Sequence, residues 1–460
     1  MKKMTKDEVA KISPNDVHEV LGTVMLADGM DLVLDLERSQ GQILYDAKAN
    51  RPYLDFFSYF ASNPIGHNHP KMRDPKFIEE MGKIAIHNPS NSDLYTVEMA
   101  KFVATFHRVA MPDNMKHLFF VAGGGLAVEN ALKAAMDWKV RKNLAKGIGT
   151  ECDPIGTRVV HMKNAFHGRT GYTLTITNTA DPRKYMFFAT FDWPRVTPPS
   201  AKFPLEGKNL EETIELERNA LAELENAFKS DKDGICAFIM EPIQGEGGDN
   251  HFRKEYFEAV RELCDKYDIM LIFDEVQTGF GLTGKFWAWE HYGVEPDIII
   301  FGKKAQVCGI IAGPRIDEVE RNVFVESSRI NSTWGGNLTD MARCRKYLEI
   351  IEEENLVENA AKMGAILMEG LQALQSKFTQ ISNTRGEGLM CAFDLPDGAC
   401  RDKFLSACMD KGMILLPCGT HSVRFRPSLN VGKTDIERAI ALIEEVLNSL
   451  QKSASCCCGG

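Results

Sequence analysis

Ile269-Met270-Leu271-Ile272-Phe273 stops at Asp274-Glu275, and further on Ile298-Ile299-Ile300-Phe301 stops at Gly302-Lys303-Lys304. Short unbroken apolar runs rich in isoleucine predict strands buried on both faces of a parallel sheet, since helices cover both sides of such sheets. In open α/β sheets ligands bind in the crevice beyond the carboxyl ends of the strands. The charges that end these two runs therefore reach one crevice, an acid from the first and an amine from the second.

That pair matches what pyridoxal phosphate requires. A lysine amine forms a Schiff base with its aldehyde, and a carboxylate keeps its ring nitrogen protonated so that the ring can act as an electron sink. Taken singly, each residue has a plainer explanation: Asp274 caps the following turn and Lys303 is a solvated loop residue, because most charged side chains are exposed.

A chain of 460 residues is too long for one ordinary core and predicts two or three domains. With 44% apolar and 26% charged residues it falls among globular proteins. A net charge of -10 with scattered basic residues argues against nucleic acid as a partner. No apolar run reaches the roughly 18 residues needed to span a bilayer. The stretch Met1-Lys2-Lys3-Met4-Thr5-Lys6-Asp7-Glu8 lacks the apolar segment of a secretory signal, so a cytoplasmic protein without membrane partners is expected. Twelve cysteines, most of them dispersed in apolar surroundings, read as reduced thiols. Cys456-Cys457-Cys458 lacks the CxxC or histidine spacing of a metal site and reads as part of a disordered end.

In chain order, residues 31–37 alternate like a half-buried strand, and 63–70 read as turn chemistry in which His67 and His69 need no metal. A helix over 94–110 precedes a strand at 117–121, then Ala122-Gly123-Gly124-Gly125 and a helix from Leu126. A glycine turn between strand and helix presents backbone N–H groups to a phosphate. A dinucleotide fingerprint would need a third glycine where Val128 stands, so a single phosphate fits better. Strands at 158–162 and 173–177 flank Asn164-Ala165-Phe166-His167-Gly168-Arg169, which offers a ring to stack on a flat ligand and an arginine to fork onto a carboxylate. A helix at 209–229, a strand at 235–240 ending in Glu241-Pro242-Ile243-Gln244-Gly245-Glu246, and a helix at 252–267 follow. Beyond Thr333-Trp334-Gly335-Gly336, helices at 338–354, 356–377, 398–411 and 434–449 and strands at 379–384, 388–394 and 421–426 read as a separate α+β unit. Alternation along its last strand puts Arg424 and Arg426 on one face, where two solvated cations would be the plain reading.

Three segments carry a resemblance to a known family: Asp274-Glu275-Val276-Gln277-Thr278-Gly279, Pro296-Asp297-Ile298-Ile299-Ile300-Phe301-Gly302-Lys303, and Glu241 to Glu246. From about residue 20 to 450 the chain resembles the class III, fold-type I pyridoxal-phosphate aminotransferases, and within them the lysine branch. Members place the Schiff-base lysine six residues after the aspartate of a Pro-Asp pair, which picks Lys303 over Lys304. The resemblance implies an α/β fold with a large domain on a mostly parallel seven-stranded sheet and a smaller α+β domain. The implied division is an N-terminal segment 1–60 joining the small domain, a cofactor-binding domain 61–336, a small domain 337–450 and a disordered tail 451–460.

It also implies site roles. Lys303 carries the cofactor and shuttles a proton, helped by a cation at Lys304 that lowers its pKa, while Asp274 pairs with the ring nitrogen. Val276 and Phe166 pack on the ring faces, Gln277 meets its phenolic oxygen, Gly124 and Gly125 hold the phosphate, and Thr333 reaches it from the second subunit of a homodimer. Arg169 meets the distal carboxylate of 2-oxoglutarate and Arg426 its α-carboxylate, with Glu246 as a gate that neutralises Arg426 when lysine is bound. Leu282 stands where many class III members have arginine, as in the lysine branch, and Ala-Gly-Gly-Gly replaces the commoner Ser-Gly-Thr-Glu-Ala turn. The implied reaction moves the ε-amino group of L-lysine to 2-oxoglutarate. Its alternatives are another ω-amine, such as ornithine or 4-aminobutyrate, or a nicotinamide-dependent dehydrogenase.

Overall fold

Ile272, Ile298 and Ile300 pack with Val128, Ala131, Leu132 and Trp138 of the helix Gly124–Ala145 on one side of a sheet. Their sequence neighbours turn the other way: Leu271 and Phe273 meet Leu224, Phe228, Phe257 and Val260 of the helices Gly207–Ser230 and Lys254–Lys266. Ile299 and Phe301 meet a third cluster containing Phe102, Phe106 and Leu348. Alternate side chains thus enter different helical layers, which is why these strands read as unbroken apolar runs.

The computed structural model describes residues 3–457, with side chains through Lys452; the cysteines at 456–458 fall outside the described side chains. Its strands in chain order are β1 Ile43–Asp46, β2 Arg51–Asp55, β3 His117–Val121, β4 Arg158–Met162, β5 Arg195–Val196, β6 Ile235–Met240 and β7 Met270–Asp274. These are followed by β8 Ile298–Phe301, β9 Cys308–Ala312, β10 Ser382–Glu387, β11 Met390–Asp394, β12 Met413–Ile414, β13 Leu416–Cys418 and β14 Ser422–Phe425. The main sheet has seven strands in the order β3-β9-β8-β7-β6-β4-β5. All of its pairings are parallel except those of β9, which runs antiparallel to both β3 and β8. β9 has no counterpart among the strands expected from the sequence. Its Gly309 lets β3 approach, since a Cβ there would lie 2.1 Å from the Phe119 carbonyl oxygen.

The register of β7 on β8 sets Asp274 opposite Ile300. The turn that follows Ile300 therefore starts beside the Asp274 carboxylate, as the two run-ends predict.

A second sheet, β10-β11-β14-β13, is antiparallel, and a third pairs β1 and β2 with β12 from the far end of the sequence. Leu54 and Phe56, at the end of β2, share a core with Leu367, Phe393, Phe404, Phe425 and Ile443. The helix Lys433–Cys457 closes this part of the chain and runs through 451–457, where a disordered tail is expected from the sequence; 458–460 lie outside the described residues.

Two expected strands are not strands. Residues 171–176 form a short helix, because the Thr170 amide donates to Thr173 Oγ1 at 2.8 Å and both residues bond Glu129 Oε1. Threonine side chains that capture nearby backbone override their strand preference. Residues 31–37 make only a bridge from Leu34 to Asp46, because Asp35 Oδ1 accepts from the amides of Glu37 and Arg38 and turns the chain.

Candidate active site

At the end of β7, Asp274 is 5% exposed. Its Oδ1 accepts from the Val276 amide at 3.1 Å, and its Oδ2 lies 2.8 Å from His167 Nδ1. A carboxylate accepts only, so the His167 proton sits on Nδ1; its buried Nε2 has no partner among the described residues.

At the end of β8, Gly302 is extended and Lys303 takes a left-handed conformation with φ 51°. A Cβ on Gly302 would meet Cys308 Sγ at 2.9 Å. The Gln306 amide donates to the Lys303 carbonyl at 2.8 Å and the Gln306 side chain donates to it at 3.1 Å, clamping the strained turn. The amine of Lys303 points into a cavity also lined by Asp274, Val276, Gln277, Phe166, Gly124, Gly125, Glu241 and Glu246. Burial lowers its pKa to about 8, aided by Arg424 and Arg426, while Asp274 and Glu241 act in the opposite sense.

Lys304 does not line the cavity. Its Nζ turns away to donate to the Gln277 carbonyl at 2.6 Å, and burial holds its own pKa well below the usual lysine value. Arg424 in β14 and Arg426 just past it add to the effect of burial on Lys303, and the charges of Lys303 and Lys304 also act against one another.

Glu241, at the end of β6, accepts from the Phe166 amide at 3.0 Å and the Gly245 amide at 3.1 Å. Burial pushes its carboxyl up to about 7 and Asp274 adds to that shift, against His167. Opposite, the helix Gly124–Ala145 begins without a side-chain cap, so its first N–H groups are not taken by a capping side chain. Gly168 closes this corner at φ 127°, where a Cβ would strike Gly125 Cα at 2.8 Å.

The arginines differ from expectation. Glu246 Oε2 accepts from Arg424 Nη2 at 2.7 Å, not from Arg426, and Glu246 Oε1 accepts from Lys184. Arg426 lies past the end of β14, and its amide donates to the Phe56 carbonyl at 2.8 Å, so strand alternation no longer governs where its side chain points. Its guanidinium donates to Asp249, to Gln277 Oε1 at 2.9 and 3.1 Å and to the Phe425 carbonyl at 2.8 Å, and it is wholly buried. Arg424 Nε is buried without a partner among the described residues.

Of the other expected site residues, Arg169 is exposed, its guanidinium 5.9 Å from the Phe166 ring centroid. Thr333 is exposed, accepts from Ser90 Oγ through its carbonyl at 2.7 Å and does not line this cavity. His67 faces Asp55 at 2.8 Å and Tyr59 at 3.3 Å, and His69 faces Glu354 at 3.2 Å. The site residues that sequence reasoning passed over are His167, Glu241, Arg424 and Lys184. Glu241 follows a strand and Arg424 lies in one, where a charged residue was the available signal; His167 stands in the loop beside Phe166, and for it and Lys184 there was none.

An amine facing a buried carboxylate, with a ring to stack on and a glycine-edged helix start for an anion, defines a class of enzyme. The family model for class III aminotransferases matches residues 25–447, and the chain belongs to that family. The cofactor of the family is pyridoxal 5'-phosphate, which the donor set and the uncapped helix start fit. The chain is similar to the L-lysine-epsilon aminotransferase of Mycobacterium tuberculosis, with 51% identity over 438 residues covering 95% of this chain and 96% of the relative. It is 44% identical over 449 residues to the enzyme of that name from Streptomyces clavuligerus, covering 97% of each chain. It is 32% identical to the mitochondrial 4-aminobutyrate aminotransferase of Mus musculus, covering 93% of this chain and 87% of the relative. The solved lysine aminotransferase from M. tuberculosis in the internal aldimine form superposes with a TM-score of 0.92 at 51% identity, covering 95% of this chain and 100% of that one.

Proposed function

We propose that this aminotransferase moves the ε-amino group of L-lysine to 2-oxoglutarate, giving L-glutamate and 2-aminoadipate 6-semialdehyde, which cyclises to piperideine-6-carboxylate. The observation that carries the reading is Lys303, an amine lowered to about 8 and facing the buried Asp274 carboxylate. The lysine-acting relatives at 44–51% identity, against 32% for the 4-aminobutyrate relative, favour lysine.

Pyridoxal 5'-phosphate, when bound, supplies an aldehyde that captures amines and a ring that takes up the electron pair of a deprotonated carbon. Lys303 Nζ holds the group and then carries a proton to and from the substrate carbon, a task suited to an amine whose pKa lies near the working pH. Asp274 keeps the ring-nitrogen proton in place, and His167 orients Asp274. Val276 and Phe166 flank the ring. Gln277 spends its amide oxygen on Arg426 and offers its NH2 group to the ring hydroxyl. The amides of Gly124 and Gly125 take the phosphate, joined by Thr333 of the partner subunit in a homodimer.

Arg169 takes the α-carboxylate of lysine and, in the other half-reaction, the distal carboxylate of 2-oxoglutarate. Arg424 replaces Arg426 as the receptor for the α-carboxylate of 2-oxoglutarate. Its partner is Glu246, which is partly exposed and shared with Lys184, whereas Arg426 is held by Asp249 and Gln277. With lysine bound, Glu246 stays on Arg424 and the uncharged part of the lysine chain lies beside the neutralised pair. The division of the chain at about 60, 336 and 450 and a cytoplasmic location belong to the same reading. Half-reaction rates with lysine, ornithine and 4-aminobutyrate, followed by cofactor absorbance, test it. Lysine is expected to react at least about tenfold faster; equal or faster reaction with either rival overturns the substrate assignment.

A further inference from the structure

Glu246 is held from two sides at the mouth of the cavity, and only one of its partners, Arg424, belongs to the receptor for substrate carboxylate. The other is Lys184, whose Nζ donates to Glu246 Oε1 and lies 5.8 Å from the centroid of the Phe166 ring. Lys184 ends the one-turn helix Pro182–Lys184, which Asp181 starts by accepting from the Arg183 amide at 3.1 Å. Asp181 also binds the Arg183 guanidinium, so the neighbouring cation is engaged elsewhere. The surrounding stretch is loosely packed: Phe187 is 94% exposed and Phe188 61%. The Lys184 side chain is nonetheless only 17% exposed.

A half-buried carboxylate needs a cation at all times. If Arg424 is to release Glu246 and bind a substrate carboxylate, Glu246 must keep a partner or be left uncompensated in a cavity of low polarity. Lys184 supplies that partner without competing for Arg424, because it bonds the other carboxylate oxygen. We propose that Lys184 is a positioning residue that keeps Glu246 charged and held when it leaves Arg424, and thereby sets how readily the site accepts a dicarboxylate relative to an ω-amine. The inference rests on the reading of Glu246 and Arg424 as a gate. Without Lys184, Arg424 becomes the only cation on Glu246 and the gate stays shut.

The test compares wild type, Lys184→Met, Lys184→Arg, Glu246→Gln and the Lys184→Met/Glu246→Gln double variant as holoenzymes. Both half-reactions are measured, together with inhibition by glutarate, a dicarboxylate with no keto group to react. Lys184→Met is expected to raise the KM for 2-oxoglutarate and the Ki for glutarate about tenfold, with kcat and the lysine half changed less than about threefold. Lys184→Arg should restore most of the loss, and the loss should vanish in the Glu246→Gln background. Equal damage to both halves, no change in glutarate inhibition, or an undiminished Lys184→Met effect in that background overturns the proposal, the last by making Lys184 a direct substrate contact. Glu246→Gln that alters neither half refutes the gate itself, a result distinct from any outcome for Lys184.

Discussion

The crevice at the ends of β7 and β8 and the mouth formed by Glu246, Arg424 and Lys184 work on different principles. In the crevice the acid and the amine are each delivered by a strand end and held in place: Asp274 by the Val276 amide, the Lys303 turn by the amide and side chain of Gln306. At the mouth, cations from two distant parts of the chain share one carboxylate, and a partly exposed side chain can exchange partners. Chemistry that must be the same for both substrates sits on the rigid part. Discrimination between them sits on the part whose ion pairs can be re-sorted at modest cost.

Substitutions should separate the two regions. Lys303→Ala is expected to lower turnover by at least about a thousandfold with the fold intact by circular dichroism; measurable wild-type rates would remove the crevice from the mechanism. Next come the two arginines. Arg426→Ala leaves Asp249 buried and unpaired, so unfolding by urea should show a loss of about 3 to 5 kcal/mol. Arg424→Ala should cost less stability than that, because Lys184 still compensates Glu246, yet slow the 2-oxoglutarate half about a hundredfold, leaving the lysine half within about tenfold. If the two phenotypes are exchanged, Arg426 is the receptor after all.

The smallest effect is one of pH. Glu241 has a folded pKa of about 7 against an ordinary 4.5, so between those values the folded state holds a proton that the unfolded state has lost. Its contribution is present in full below about 4.5 and fades as pH rises through 7. Glu241→Gln should therefore become more stable relative to wild type with rising pH over that window, by up to about 1 kcal/mol per pH unit. Parallel stability curves would show that the carboxyl is ionised throughout.

Much of the crevice was legible before any coordinates. The runs that end at Asp274 and Lys303 report burial on both faces and a charge at the carboxyl end, both local properties of a strand. Phe166, Gly124 and Gly125 stood out in the turns after other strands, Val276 and Gln277 were implied by the family resemblance, and the cavity gathers all five. Legibility failed where side chains meet across the fold. Thr173 looks like a strand residue until Thr170 and, from another helix, Glu129 capture it. Arg424 and Arg426 look equivalent until the end of β14 releases the second from the strand geometry of the first.

By itself the sequence determined the strand ends, the glycine turn and the acid and amine of the crevice, because hydrophobic periodicity and turn chemistry act over a few neighbouring residues. Only the tertiary structure decided which arginine faces Glu246, that Lys184 holds its other oxygen, and that Lys304 turns away from Lys303. Ion pairing in a cavity depends on distance in space and on burial, and residues far apart along the chain carry no record of either.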